Sequence, residues 1–165
     1  MAKRVLAVDE IMKTLRTTVP RLDALTEGVA PARLQASPAP DAWSVNDVLA
    51  HLRASHDVLG GSILRIVRED APSWRRLSPR AWIRKTDYPT WAFQPALAAF
   101  SAQRSELLEV IEPLPPEVWA RTARVTEPNG DVRERTAQFY GDWLAAHERE
   151  HIGQITQVLA DLDHS

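Results

Sequence analysis

Cysteine is absent from this chain of 165 residues. Its absence excludes disulfide bonds, thiolate metal ligands and a cysteine nucleophile, and it fits a reducing cytoplasm, the location that we expect. A strong charge of one sign is also lacking, since the formal net charge is −2. Nothing therefore predicts a nucleic-acid partner or an acidic membrane surface. Long apolar runs are missing too, so we expect neither a signal peptide nor a membrane-spanning helix.

Two histidines late in the chain, His147 and His151, are four residues apart. On a helix this spacing places them about 40° apart around the axis, so both rings can reach one metal ion. Together with Glu148 they also match the H-E-x-x-H pattern, in which the glutamate is the general base of a zinc protease. The pattern leaves two interpretations, a zinc protease and another kind of metal site.

The residues after this histidine pair argue against the protease. The extended protease motif would have a glycine at Gln154 and a histidine at Gln157. The later His164 lies at a chain end, where order is usually poor. A third ligand must then come from upstream, where His51 and His56 are available.

His51 is the better upstream candidate because it falls within a predicted helix. Ser44 is a typical N-cap, and Asp47 follows three residues later, as in a capping box. Trp43 is predicted to be a structural plug at the start of this helix. His56 lies about 140° around the axis from His51, so we do not expect the two to share a site.

Two short motifs resemble those of the DinB/YfiT-like superfamily of metal-binding four-helix bundles. They are Trp43-Ser44-x-x-Asp47-x-x-x-His51-Leu52 and His147-x-x-x-His151-Ile152-x-Gln154-Ile155. The resemblance implies a divalent metal, zinc or nickel, bound by His51, His147 and His151. It implies either a metal-dependent hydrolase or a thiol S-transferase that uses a low-molecular-weight thiol. It also implies that the protein can form a homodimer.

A site of three neutral histidines leaves at least one position on the metal for water or substrate, which is typical of catalytic sites. A water held there can have its pKa lowered to about 7, or the metal can stabilise an incoming thiolate. Since the chain has no cysteine, that sulfur would come from a small cofactor. We expect an enzyme acting on a small-molecule substrate. The alternative is a non-catalytic metal-binding or stress-response protein.

Apolar residues at helical spacing predict an all-α fold, a four-helix bundle in a single domain over residues 1–165. A long connection between the second and third helices, Ala71 to Thr90, is uncommon in a compact domain unless it is functional or needed as a crossover. Pro128-Asn129-Gly130-Asp131 predicts a turn and a small hairpin before the fourth helix. The predicted helices cover residues 7–27, 44–69 and 92–111 and the segment from 136 onward.

The predicted inward stripe of the fourth helix includes His147, Glu150 and His151. Buried imidazoles left unpaired cost roughly 1–3 kcal/mol each, and a metal would satisfy them together. Glu148 points about 100° away from His147, so we expect it to be solvated and a weak candidate for a catalytic base. Glu150 is the other weak candidate, either orienting a ligand imidazole or pairing with an arginine.

Aromatic and basic residues of the long connection are candidates for a substrate pocket. The pocket would be lined by Trp74, Trp82 and Trp91. Alternatively, these side chains would pin the connection to the bundle by aromatic burial. Arg75 and Arg76 would attract an anionic substrate, or would simply form a solvated basic pair.

Overall fold

The computed structural model describes residues 3–164, and most of them are helical. In chain order the helices are α1 (Val8–Thr26), α2 (Pro31–Gln35), α3 (Val45–Ser55), α4 (Gly61–Arg68), α5 (Pro79–Ile83), α6 (Phe93–Ile111) and α7 (Ala137–Asp163). The four predicted rods are present as α1, a continuous α3–α4 rod, α6 and α7. A π-helical turn, His56–Gly60, joins α3 to α4, and 3₁₀ turns lie at Tyr88–Thr90 and Pro116–Ala120. Across the described residues, every helix falls short of the length or the apolar character needed to span a lipid bilayer.

Side-chain caps fix where two of the rods begin. The Ser44 hydroxyl accepts the Asp47 backbone N–H at 3.1 Å, and the Asp47 carboxylate accepts the Ser44 N–H at 2.9 Å. The predicted capping of α3 is therefore confirmed. At the start of α7, Thr136 Oγ1 accepts the Phe139 N–H at 2.9 Å. Both caps satisfy donors that a helix N-terminus would otherwise leave unpaired.

A small sheet accompanies the helices, so the expectation of an all-α fold holds for the bundle but not for the whole chain. The predicted hairpin is confirmed as antiparallel strands β2 (Thr122–Thr126) and β3 (Val132–Thr136). A third strand, β1 (Ser73–Arg75), pairs parallel to β2, with Trp74 opposite Val125. This strand was not predicted, because three residues are too few to show a strand periodicity.

A layer of buried polar side chains divides the core of the bundle. Each rod contributes one residue to it: Thr18 from α1, His56 from the π turn, Arg104 from α6 and Glu148 from α7. In every rod this residue stands between a member of one apolar cluster and a member of the other. Flanking members of the first cluster are Leu15, Leu59, Leu107 and Leu144, and those of the second are Leu22, Leu52, Phe100 and Ile152.

An ion pair between Arg104 and Glu148 forms the centre of this polar layer, with side chains 3% and 0% exposed. Both terminal nitrogens of Arg104 donate to the Glu148 carboxylate, and Thr18 Oγ1 donates to it at 2.7 Å. Arg104 also donates to His56 Nδ1 at 3.2 Å. Burial, together with the charge of Arg104, lowers the pKa of His56 to about 3, so the ring is neutral and can accept this bond.

The expectation that Glu148 is solvated is therefore wrong. The buried face of α7 is rotated about the helix axis relative to the predicted inward stripe. The glutamate lies at the centre of the buried face because Arg104 compensates its charge there. His147, placed on the buried face by the prediction, is only half-buried, and Glu150 is exposed. His151 lies at the buried edge of the same face, 9% exposed.

We expect loss of one partner of the buried ion pair to lower the free energy of unfolding far more than loss of both partners does. Glu148→Leu leaves the Arg104 charge buried without compensation, which should cost about 3–5 kcal/mol of unfolding free energy. The double variant Arg104→Met/Glu148→Leu should recover most of that loss. Urea denaturation of the single and double variants measures both values.

Glu112→Gln is the matched control for this prediction. Glu112 forms an exposed ion pair with Arg16, so the substitution should change the unfolding free energy by less than about 1 kcal/mol. A Glu148→Leu variant as stable as Glu112→Gln would contradict the role given to the buried pair.

Candidate metal centre

Three imidazole rings converge between α3 and α7. His51 Nε2 lies 2.6 Å from His147 Nε2, which lies 3.1 Å from His151 Nε2. One ligand nitrogen from each ring falls within 4.8 Å of the others. The structure thus brings together the three residues that the sequence singled out. It places His56 elsewhere, in the polar layer beside Arg104.

The two helices position these rings by different means. The capping box at Ser44 fixes the start of α3, and His51 follows two turns later. On α7, the buried Glu148 stands between the two histidines and sets the rotation of that helix. Trp43 lies against the cluster, with its ring centroid 5.2 Å from that of His51 and 6.2 Å from that of His151. Trp43, which was predicted to be a structural plug, therefore also forms a wall of the site.

Gln154 orients the third imidazole. Its side-chain Oε1 lies 2.7 Å from His151 Nδ1. An amide oxygen can only accept, so Nδ1 carries the proton and donates to it. The lone pair of His151 then resides on Nε2, which faces His147. One turn of α7 thus carries both the imidazole and the group that selects its tautomer.

The electrostatics of the cluster favour neutral rings. Burial first, then the neighbouring imidazoles and Arg80, lower the pKa of His51 to about 4. Burial, His151, Arg80 and Lys3 likewise lower the pKa of His147 to about 4, against a smaller opposing effect of Glu150. Both imidazoles therefore stay unprotonated at neutral pH, the form in which a histidine binds a metal.

The donor set fits a borderline divalent metal. Within residues 3–164, no carboxylate or carbonyl oxygen is hydrogen-bonded to any of the three Nε2 atoms, which contact only one another. Tetrahedral zinc with bonds of about 2.0 Å separates two nitrogen ligands by about 3.3 Å, close to the 3.1 Å between His147 and His151. Three neutral imidazoles suit zinc and nickel better than magnesium or calcium. His51, His147 and His151 could therefore hold such an ion.

Neither predicted carboxylate candidate contacts the cluster. Glu148 is engaged by Arg104 and Thr18 on the far side of α7. Glu150 is exposed and, among the described residues, has no hydrogen bond or ion pair; it affects His147 through its charge alone. The expected pairing of Glu150 with a ligand imidazole or an arginine is wrong.

The long connection covers the mouth of the site. Asp57 in the π turn holds it: its carboxylate accepts the Trp82 indole N–H at 2.9 Å and the Tyr88 hydroxyl at 2.6 Å. Arg53 stacks on Trp91, with 4.4 Å from the guanidinium carbon to the ring centroid. The prediction that aromatic side chains pin the long connection to the bundle is thus confirmed for Trp82 and Trp91.

A cavity of about 920 Å³ opens at the imidazole cluster beneath this cover. His51, His151, Trp43 and Arg80 of α5 are among the residues that line it, whereas His147 is not. Sequence reasoning missed Arg80 and Asp57, because both owe their roles to the path of an irregular connection. Gln154 had a usable signal, since it lies one turn after His151 on the same helix face.

A family model describing the DinB superfamily matches residues 14–155. The chain belongs to the DinB superfamily. A structure of YfiT from Bacillus subtilis, described as a probable metal-dependent hydrolase with an unusual four-helix bundle topology, is similar at a TM-score of 0.76 and 18% identity. That match covers 99% of this chain and 93% of YfiT. The four-helix bundle protein TT2238 matches at a TM-score of 0.62 and 21% identity, over 90% of this chain and 98% of that one. No curated protein matches the chain.

At these identities the two structures support the fold of this DinB-superfamily chain, and both are four-helix bundles. The family membership inferred from the two histidine motifs is confirmed. What the imidazole cluster of this chain binds and does is a separate question.

We expect Gln154→Leu to weaken Zn²⁺ binding by tenfold or more, because His151 loses the acceptor that keeps its Nε2 unprotonated. Competition with a chromophoric chelator measures the affinity. Gln157→Leu is the matched control, since Gln157 lines the same cavity but donates to Asp161 and not to a ring. Equal zinc affinity in the two variants would show that Gln154 does not orient the site.

Proposed function

We propose that this DinB-superfamily protein is a divalent-metal-dependent enzyme that acts on a small substrate, with His51, His147 and His151 as the metal ligands. One observation carries the proposal: three imidazole nitrogens from two helices lie within 4.8 Å of one another at the edge of a cavity. The description of YfiT as a probable metal-dependent hydrolase supports the same class of activity.

Hydrolysis is the first candidate reaction. His51, His147 and His151 would hold a zinc or nickel ion, which would supply Lewis-acid chemistry, lowering the pKa of a water or thiol and polarising a carbonyl. The protein supplies the surroundings for that chemistry. Gln154 keeps His151 in its ligating tautomer, and Trp43 shields one side of the rings from water.

Arg80 is the residue that we propose to face the developing negative charge. It lines the cavity together with His51 and His151, and its positive charge acts on His51 and His147. A fixed cation beside the reacting atoms stabilises an oxyanion or an anionic leaving group. Arg80 is exposed, so it can also meet an incoming substrate.

Thiol S-transfer is the second candidate, and the residues around the rings favour it in one respect. Among residues 3–164, no carboxylate is hydrogen-bonded to the imidazole cluster, although Asp41, Asp47 and Asp161 line the same cavity. A thiol, with a pKa of about 8.5, needs less help to ionise than water does. Arg80 would stabilise the thiolate as it would an oxyanion.

Turnover assays on one preparation test the proposal. The protein is stripped with a chelator, reloaded with zinc or nickel, and assayed with activated aryl esters, then with a low-molecular-weight thiol and an electrophile. We expect activity to follow metal loading in at least one assay. In that assay Arg80→Gln should lower kcat/KM by about tenfold, because one charge-stabilising group is lost.

His164→Ala is the control for histidine loss outside the cluster and should behave as the unmodified protein. His51→Ala should be inactive in every metal-loaded form. Equal rates in the stripped, reloaded and His51→Ala proteins would refute an enzymatic role and leave the non-catalytic metal-binding alternative.

A further inference from the structure

A second cavity, of about 660 Å³, lies on the other side of α5 from the imidazole cluster. Its walls come from the sheet, the long connection and the first two turns of α7. Three of the wall residues form a continuous aromatic surface, since Tyr140 lies 6.0 Å from Trp74 and 6.5 Å from Trp143 between ring centroids. Trp82 and Phe139 also line this cavity. We call it the aromatic pocket.

Arginine side chains lie over the rings of the aromatic pocket. Such pairs keep the guanidinium planes parallel to apolar walls while their N–H groups stay available at the edge. A flat ligand entering here would meet aromatic faces and cationic edges together. From guanidinium carbon to ring centroid, the distances are 4.8 Å for Arg65 and Trp74, 5.7 Å for Arg76 and Trp143, and 4.4 Å for Arg135 and Phe139.

Positive charge is in excess where two of these arginines meet. Glu127 is the one carboxylate that serves both Arg76, at 3.2 Å, and Arg135, at 3.6 Å. Glu127 is only 13% exposed, so its charge is held in the wall and does not project into solvent. One guanidinium charge is left uncompensated at this edge.

The other carboxylates that line the pocket already accept hydrogen bonds from groups of the protein. Asp57 accepts the Trp82 indole N–H, the Tyr88 hydroxyl and the Gln103 amide. Asp142 accepts the backbone N–H of Leu6 at 2.8 Å. Lys3 and Arg75 add two further cations to the lining, and neither has an ion-pair partner among the residues that the structure describes.

We propose that the aromatic pocket binds a flat organic anion, an aromatic carboxylate by chemical class. The rings would take up the apolar body by stacking, and the surplus charge of Arg76 and Arg135 would take the carboxylate. The volume is within the range of about 300–1,000 Å³ that is usual for small-molecule sites.

The aromatic pocket is separate from the cavity at the imidazole cluster, so its ligand goes beyond the proposed function and does not depend on it. Trp143 precedes His147 by one turn on the same face of α7. α5 separates the two cavities: Trp82 lines the aromatic pocket, and Arg80 and Ile83 line the cavity at the cluster.

Isothermal titration calorimetry with 2-naphthoate tests the binding, with 2-naphthylmethanol as the uncharged analogue of the same ring. We expect saturable binding of the carboxylate at one site and about tenfold weaker binding of the alcohol. Arg76→Gln should weaken naphthoate binding about tenfold. Glu127→Gln should strengthen it severalfold, because both arginines are then free for the ligand.

Two controls separate this proposal from the metal proposal. Arg16→Gln removes an exposed guanidinium from another ion pair and should leave naphthoate binding unchanged. Metal-free His51→Ala should bind naphthoate as the unmodified protein does, whatever the cluster binds. Equal affinity for the carboxylate and the alcohol, no saturable binding, or no change in either the Arg76→Gln or the Glu127→Gln variant would overturn the assignment of the aromatic pocket.

Discussion

The buried ion pair between Arg104 and Glu148 limits how the rods of this DinB-superfamily protein can turn against one another. Both side chains are almost fully removed from water, and separating two such charges would cost several kcal/mol. Rotation of α7 would break the bonds of Glu148 to Arg104 and Thr18. The pair therefore fixes the direction in which the rest of α7 faces, including the histidines on either side of Glu148.

That constraint links stability to the candidate site. His147 and His151 reach His51 only because α7 is held in one rotation, and burial keeps the imidazoles of His51 and His147 neutral. The rods carry the three histidines, whereas the long connection contributes walls to both cavities. Asp57, in the π turn of the second rod, ties that connection down through Trp82 and Tyr88. The geometry of the histidine cluster and the access to the cavities thus depend on different parts of the chain.

Sequence patterns predicted the rods, the hairpin, the cap at Ser44 and the grouping of His51 with the later pair, because each depends on local spacing or on a short motif. They failed for Glu148, whose burial depends on Arg104, a partner 44 residues away in the chain. A charged residue at a core position looks solvated unless its partner is known. Strand β1 and the role of Arg80 were missed for a related reason, since both depend on how an irregular connection folds back on the bundle.

The central claim is that three imidazoles from α3 and α7 hold one metal ion, and the zinc content of purified protein tests it most directly. Elemental analysis after zinc loading and gel filtration should find about one zinc per chain in the unmodified protein and close to none in His147→Ala. His56→Gln, which alters a buried histidine outside the cluster, should retain the metal while folded. Zinc bound equally well by folded His147→Ala would contradict the account.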